Sequence, residues 1–435
     1  MTANPGRGPR RLLVIAFHYP PDNSSTGVLR TLKFTEYLAD HGWSSEVISV
    51  PEDLYESRDP ALAAAIPSHV NVHRVWAADV KRLLGVRGVY PQALAFPDRY
   101  WPWWRAAVRK GAELIAAGRV DAVYSTYPMA TAHLIGLRLH RRFGLPWVAD
   151  FRDPWIEDSM PRFRRWAEGA IERRVMARAG RVICNTPAMC QYLRGRYPRL
   201  PPERFVTITN GYDEKDFVDL EPEGIDRFEI LYPGAIDAVN RDPLPLLAAV
   251  RLALERGWLD RNDLQVTLLG GGPYADTETF RRALAQSGVA DVVSVQAGRM
   301  PYRRALQRMA GADLLLALSE PAGEDARARR NRTWTYMQVP AKTYEYLRVG
   351  RKILALMSGG AVAELLEQTL GLATIPPHDI EAVAQALRTH YELRRTEAAA
   401  VPQSEPLPQV EAYSRERLTA CLAAELERIV TGGPR

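Results

Sequence analysis

Cysteine is scarce in this chain, with three in 435 residues: Cys184, Cys190 and Cys421. Only the first two lie close in sequence, and no His or Cys cluster with metal-ligand spacing accompanies them. That excludes a disulfide framework and a zinc module, and leaves buried or inert thiols of a reducing compartment. Long apolar runs are missing too. The longest, such as Leu12 to Phe17, are strand-length against the roughly 20 residues of a bilayer span, so no transmembrane helix is expected. The basic start Met1–Arg11 precedes such a run. The run is too short for the apolar core of a signal peptide and ends in His18-Tyr19-Pro20-Pro21-Asp22, so a cytoplasmic protein is expected. Neither half has a G-x-G-x-x-G run after its first strand, which disfavours a dinucleotide dehydrogenase.

What is present is an ordinary globular composition, 46% hydrophobic and 25% charged, at a length that suits two domains. The charge is uneven. Residues 1–217 hold 31 Lys and Arg against 22 Asp and Glu, which leaves 26 against 29 for residues 218–435. Three readings compete for the basic half: a solvated surface with no partner, attraction to anionic lipid or a phosphate-bearing substrate, and nucleic acid. Nucleic acid is not expected as a partner, because no compact Lys/Arg run or nucleic-acid module accompanies the charge.

Short β-rich runs alternate with longer helical patterns, the signature of parallel sheets with crossover helices. Strands are expected at 12–17, 45–50, 70–76, 122–126, 147–151, 181–185 and 205–209, with helices at 27–40, 104–117, 131–143 and 163–179. The alternation breaks at Asn210-Gly211-Tyr212-Asp213, and the acidic stretch to Asp226 reads as a linker. It restarts with strands at 228–232, 265–269, 292–295, 313–317, 352–356 and 372–375. Helices at 244–256, 277–287, 302–311, 343–349, 361–370 and 380–397 fill the gaps. The expected class is α/β, with two Rossmann-like doubly wound parallel-sheet domains, 1–215 and 216–405, facing across a cleft that is the default active site. Residues 406–435 follow, with a final amphipathic helix at 410–430.

Candidate chemistry sits where strands end. Gly27 opens a helix whose first amides suit a phosphate or a sugar hydroxyl; a plain turn with a glycine cap is the plainer reading. The strand into Asp150-Phe151-Arg152-Asp153-Pro154-Trp155 brings charges to a buried strand's carboxyl end, which is costly unless they are paired or used. Arg152 with Asp150 or Asp153 as a structural pair stands beside that. In the second half, Tyr232-Pro233-Gly234 ends a strand and Arg241 lies near the start of the next helix, against the helix dipole. A diphosphate between Arg241 and the helix amides resolves the conflict, and a solvated Arg is the alternative. Lys342 and Glu345 share one helical turn, suited to a diphosphate and a ribose diol, or to a plain intrahelical ion pair.

Together these residues resemble the retaining nucleotide-sugar glycosyltransferases of the GT-B superfamily, in the glycosyltransferase family 4-like group. The likeness spans nearly the whole chain. It rests on Tyr19-Pro20-Pro21 with Gly27-Val28-Leu29-Arg30, on Asp150–Trp155, on Thr209–Asp213, and on Val339-Pro340-Ala341-Lys342 with Glu345-Tyr346-Leu347. The resemblance implies a GT-B fold and a nucleoside-diphosphate sugar held by the second domain. Glu345 would hold the ribose, and Lys342 and Arg241 the diphosphate. Gly234 and Thr343 complete the expected donor site, and Gly298-Arg299-Met300-Pro301 brackets the base. The first domain would present the acceptor, with the Gly27 loop near the phosphates and Asp150, Arg152 and Asp153 near the reacting carbon. The last helix would return to the first domain. Transfer with retention and without a metal or other cofactor is implied, and no Asp-x-Asp occurs in the chain.

Two departures stand out. Many relatives carry two glutamates separated by seven residues, the second matching Glu345; here the first position is Met337. Many also carry a His where this chain has Arg152, although relatives with the Asp-Phe-Arg-Asp-Pro-Trp run share that change. His18 and His133 read as structural. The aromatic-basic segments Arg99–Arg105 and Arg162–Trp166 suit either a buried core or peripheral contact with an anionic membrane at its inner face. A nucleotide-sugar epimerase of the same fold and a non-catalytic sugar-nucleotide-binding relative are the alternatives to transfer. The acceptor is not named by the sequence.

Overall fold

Among the described residues twelve strands form two all-parallel sheets. β1 (Arg10–Ile15), β2 (Trp43–Ser49), β3 (Val70–Arg74), β4 (Ala122–Thr126), β5 (Trp147–Phe151), β6 (Arg181–Cys184) and β7 (Phe205–Thr207) make the first, in the order β3-β2-β1-β4-β5-β6-β7. β8 (Phe228–Pro233), β9 (Leu264–Leu269), β10 (Val293–Gln296), β11 (Leu314–Leu318) and β12 (Lys352–Leu356) make the second, in the order β10-β9-β8-β11-β12. The computed structural model describes residues 8–24, 27–84, 92–156, 160–296, 298, 300–320, 334–396 and 405–432. β4, β5, β9 and β11 are buried at every residue, because crossover helices cover both faces of a parallel sheet. Among the described residues no helix is long and apolar enough to cross a membrane.

The chain divides into one unit of residues 1–211 with 414–435 and a second of 212–413. The final helix, Arg415–Val430, inserts Leu418, Leu422 and Leu426 into the core built on β1, β2 and β4. Polar ties fix it there: Trp43 Nε1 donates to Glu427 (3.0 Å) and Arg181 Nε to Glu425 (2.6 Å). The acidic stretch after Asn210 is not a free linker. Tyr212 N donates to Tyr413 O (3.2 Å), Glu223 N donates to Gln307 O (2.9 Å), and Arg348 clasps Glu214, so the stretch lies on the second unit. Two further expectations need correction. Leu372–Ile375 is not a strand; it meets β12 in a single bridge, Leu356 with Ile375, before Pro376 and Pro377 remove the next donors. A helix absent from the sequence reading runs over Pro187–Arg196, capped by Thr186, whose Oγ accepts from Met189 N (3.1 Å).

His133 is structural. It is fully buried, its ring stacks on Phe151 (4.5 Å between centroids), and its Nδ1 lies 2.8 Å from Ser125 Oγ, which also accepts from Trp147 Nε1 (2.9 Å). Burial pushes its pKa down to about 3, whereas the unfolded chain titrates near the ordinary 6.5. The unfolded state therefore binds the extra proton first, and stability falls with pH below 6.5. Between about pH 7 and pH 5 the loss from this residue is about 2 kcal/mol. Urea unfolding of the protein and of His133→Gln tests this: the variant is expected to lose the steep part of the acid slope, and an unchanged slope refutes it.

Candidate functional site

The second unit's site grows from the end of β8. This strand is buried through Tyr232 and ends in Pro233-Gly234, and the turn beyond is shaped by Asp237, whose carboxylate accepts from Val239 N (2.9 Å) and Asn240 N (2.7 Å). The helix Ala341–Val349 is held to the sheet by Tyr346, whose hydroxyl donates to Leu316 O (2.9 Å). Its second residue, Lys342, points its ammonium at the Tyr232 ring, 3.6 Å from the centroid. A Cβ on Gly234 would lie 2.4 Å from that ammonium, so the glycine makes room for it. Arg241 comes to the same place, half-exposed and only loosely paired with Asp237 at 4.0 Å. Glu345 is buried one turn on from Lys342 and accepts from the Tyr302 hydroxyl (2.9 Å).

The electrostatics of this group are unbalanced. Burial pushes the Lys342 pKa well below the ordinary 10.5, Arg241 pushes the same way, and Glu345 opposes them. Among the described residues no carboxylate forms an ion pair with Lys342. Two cations converging beside a low-dielectric wall make a place for an anion. Thus Gly234, Arg241, Lys342 and Glu345 are brought together as expected, with Thr343 buried between the last two. Met300 stands two residues before Tyr302, so the loop expected to bracket a base is tied to Glu345 through that tyrosine. Arg299 lies outside the described residues. Met337 is buried.

In the first unit the structure corrects one site residue. Asp150 is completely buried, with both oxygens taken: Arg30 donates to it twice (3.0 and 3.2 Å), Tyr124 Oη at 2.6 Å and Thr126 Oγ1 at 3.0 Å. Burial would raise its pKa, but Arg30 and the hydroxyls hold it below the usual carboxylate value. A carboxylate so enclosed is an anchor and not a group at a reacting carbon. Arg152 is partly exposed, and its guanidinium lies directly over Gly27, where an added Cβ would come within 1.7 Å of Cζ. The space over the helix start at Gly27 is therefore filled by this chain's own cation. Asp153 beside it is partly exposed and raises the Arg152 pKa against the lowering by burial.

The first unit also holds a cavity of about 690 Å³ whose lining includes Phe17, His18, Asp98, Tyr100, Tyr127 and Trp155. His18 Nδ1 lies 2.5 Å from Asp22, a fully buried carboxylate that also accepts from Ser24 N (2.8 Å) and Oγ (2.6 Å). Burial alone would raise Asp22, and these bonds hold it below its ordinary value instead.

Residues 27–211 match the family described as glycosyl transferase 4-like domain. No curated protein matches the chain. Solved structures do, over nearly its full length. A glycosyltransferase from Rickettsia africae is 13% identical and superposes with a TM-score of 0.64, covering 98% of this chain and 100% of its own. The Anabaena protein HepE, in complex with UDP and glucose, is 14% identical with a TM-score of 0.63 over 96% and 99%. A putative UDP-N-acetylglucosamine 2-epimerase from Listeria monocytogenes is 12% identical with a TM-score of 0.55 over 97% and 96%. At these identities the likeness establishes the fold, which is GT-B.

Within the matched residues 27–211, sequence reasoning missed Asp98 and Tyr127. Asp98 accepts from Thr131 N and Oγ1, both at 2.7 Å, and burial raises its pKa against those bonds. Its segment has no helical or strand period, so no signal marked it. His18 and Asp22 stood in a quoted motif, yet their spacing of four residues in a loop gives no hint that they bond.

Proposed function

We propose that the protein is a glycosyltransferase that moves a sugar from a nucleoside-diphosphate sugar to an acceptor hydroxyl, with retention and without a metal. The observation that carries this is the half-buried Lys342 ammonium against the Tyr232 ring, with Arg241 beside it and, among the described residues, no carboxylate paired with it. A diphosphate supplies the missing charge. As the leaving group departs, negative charge grows on its oxygens, and fixed cations stabilise that state more than the ground state. Gly234 lets the chain approach closely, Glu345 accepts from the ribose hydroxyls, and the loop 298–301 with Met300 borders the base. That HepE holds UDP and glucose on this fold supports the same donor class here. The acceptor belongs to the cavity of the first unit, whose rings suit the flat face of a sugar or an aromatic body and whose His18 is oriented by Asp22. Arg152 and Asp153 remain the charged pair proposed to serve the transfer from that unit.

Titration with UDP, GDP and ADP followed by thermal unfolding tests the donor site. At a hundredfold excess over Kd one of them is expected to add about 2.7 kcal/mol, or roughly 5–10 °C. If none raises the transition, the donor site is wrong. The affinity has a predicted pH sign. Bound diphosphate favours charged Lys342, so binding takes up a proton above the depressed pKa, and affinity falls as pH rises through it toward 10.5. Calorimetry in buffers of different ionisation heat reads that uptake. Incubation with UDP-sugar alone separates the other readings: an epimerised sugar released without acceptor favours an epimerase, and binding with no turnover or slow hydrolysis favours a non-catalytic relative.

A further inference from the structure

The helix Arg162–Arg178 inverts the usual amphipathic arrangement. Its only two carboxylates, Glu168 and Glu172, are buried at 2% and 1% exposure. Glu168 accepts from Trp155 Nε1 (2.8 Å) and pairs with Arg164; Glu172 accepts from Arg196 Nε (2.9 Å) and from Tyr197. Outward it presents Phe163 and Trp166, 74% and 69% exposed, with Arg162, Arg173 and Arg174 exposed along the same stripe. Positions 162, 166, 170 and 173 fall on one helical face, flanked by 163 and 174. That face carries apolar rings and positive charge, and no negative charge.

Other exposed apolar side chains lie on segments bonded to the helix. Arg164 Nη2 donates to Pro97 O (3.3 Å), joining the helix start to a turn that exposes Leu94 and Trp101. Trp101 Nε1 donates to Leu94 O (2.8 Å), which fixes the indole on the surface. Val80 N donates to Arg99 O (2.9 Å) and so attaches a third segment, where Leu83 and Leu84 are exposed beside Lys81 and Arg82. Six of the ten large hydrophobic side chains exposed among the described residues lie on these three segments. Scattered exposed hydrophobics need no explanation, but a cluster mixed with arginines does.

We infer that this face docks on an anionic lipid bilayer. Phe163, Trp166, Trp101 and the leucines enter the interface, and the arginines meet lipid phosphates. Charge selects the occupant: an apolar protein partner leaves the arginines unpaired, whereas an anionic headgroup layer matches both components. The segments that dock also line the 690 Å³ cavity through Ala95, Pro97, Arg99, Pro161 and Arg164, so docking brings its wall to the level of the headgroups. The inference does not rest on the transferase reading.

Co-sedimentation of the full chain with phosphatidylcholine vesicles, and with vesicles of equal parts phosphatidylcholine and phosphatidylglycerol, tests it. Binding to the mixed vesicles is expected to exceed that to pure phosphatidylcholine at least about tenfold, and to be lost at about 1 M salt, where charges are screened within about 3 Å. Arg173→Ala with Arg174→Ala is expected to lose about fivefold per arginine, and Phe163→Ser with Trp166→Ser about tenfold or more. All four side chains project outward, and UDP titration of each variant reports separately on the donor site. Equal sedimentation with both vesicle types, or aromatic variants that bind like the parent, overturns the inference. So does a parent that dimerises through this face and never binds vesicles.

Discussion

Replacing Lys342 with Met is expected to reduce sugar transfer by 10² to 10³ while leaving the free protein as stable as before, or more stable. The two expectations share a cause. The half-buried ammonium lies against Tyr232, is repelled by Arg241 and has no ion-pairing carboxylate among the described residues, so its pKa is pushed well below 10.5 and its charge opposes folding. A methionine of similar reach removes that cost, and apolar replacement of a poorly compensated buried charge is neutral or stabilising. The same change removes one of the two fixed cations that the proposed donor site sets against the leaving diphosphate, and loss of a single such donor costs about 10²–10³ in rate. Stability and activity therefore move in opposite directions, as expected for a site strained toward its ligand. UDP should stabilise the parent and barely stabilise the variant. Glu345→Ala should weaken UDP as well, but without the gain in stability, because Tyr302 loses its hydrogen-bond acceptor. Wild-type UDP affinity in Lys342→Met, measured by calorimetry, would place the diphosphate elsewhere.

Elements with a strong local period were legible in the sequence, and long-range pairings were not. β4, β5, β12 and the helix Tyr302–Gly311 match the expectation to the residue. The strands are apolar runs bounded by turn residues, whose burial on both faces leaves no alternation to misread, and the helix shows a one-sided apolar stripe. Pro187–Arg196 was missed because its ten residues lack a clear apolar stripe, although Thr186-Pro187 is a cap followed by a first-turn proline. The stretch after Tyr212 looked like a linker because its anchors are single contacts, such as Glu214 with Arg348, 134 residues apart. In the second unit the triplet of Arg241, Lys342 and Glu345 had local signals, since Arg241 lies against a helix dipole and Lys342 and Glu345 share one helical turn. Its coupling to Gly234 and Tyr232 needed coordinates. The first unit's charges misled for the same reason. Asp150 sits beside Arg152 in sequence, but its partner is Arg30, 120 residues away.

That pairing yields the largest stability effect. Asp150→Ala is expected to cost about 3–5 kcal/mol, because Arg30 is then left buried and uncompensated. Arg30 also donates to the carbonyls of Ile208 (2.8 Å) and Thr209 (2.5 Å), so it joins the first helix to β4, β5 and the segment after β7. Losing its counterion loosens that whole junction. Asp150→Asn keeps the shape and removes only the charge, and its cost should fall between those of the alanine variant and the parent. The pair contributes fully near neutral pH and gives stability no pH dependence there. Its carboxyl is held below the ordinary 3.8, so its contribution is complete above that value and is lost only as pH falls through the depressed pKa. Acid sensitivity nearer neutrality comes from the histidines that burial holds neutral, His133 and His390. Urea midpoints separate the anchoring role from a catalytic one. An anchor lowers the midpoint of Asp150→Asn and leaves turnover per folded molecule within a small factor of the parent. A group at the reacting carbon gives the reverse, an unmoved midpoint with turnover abolished, and that result would restore Asp150 to the catalytic set.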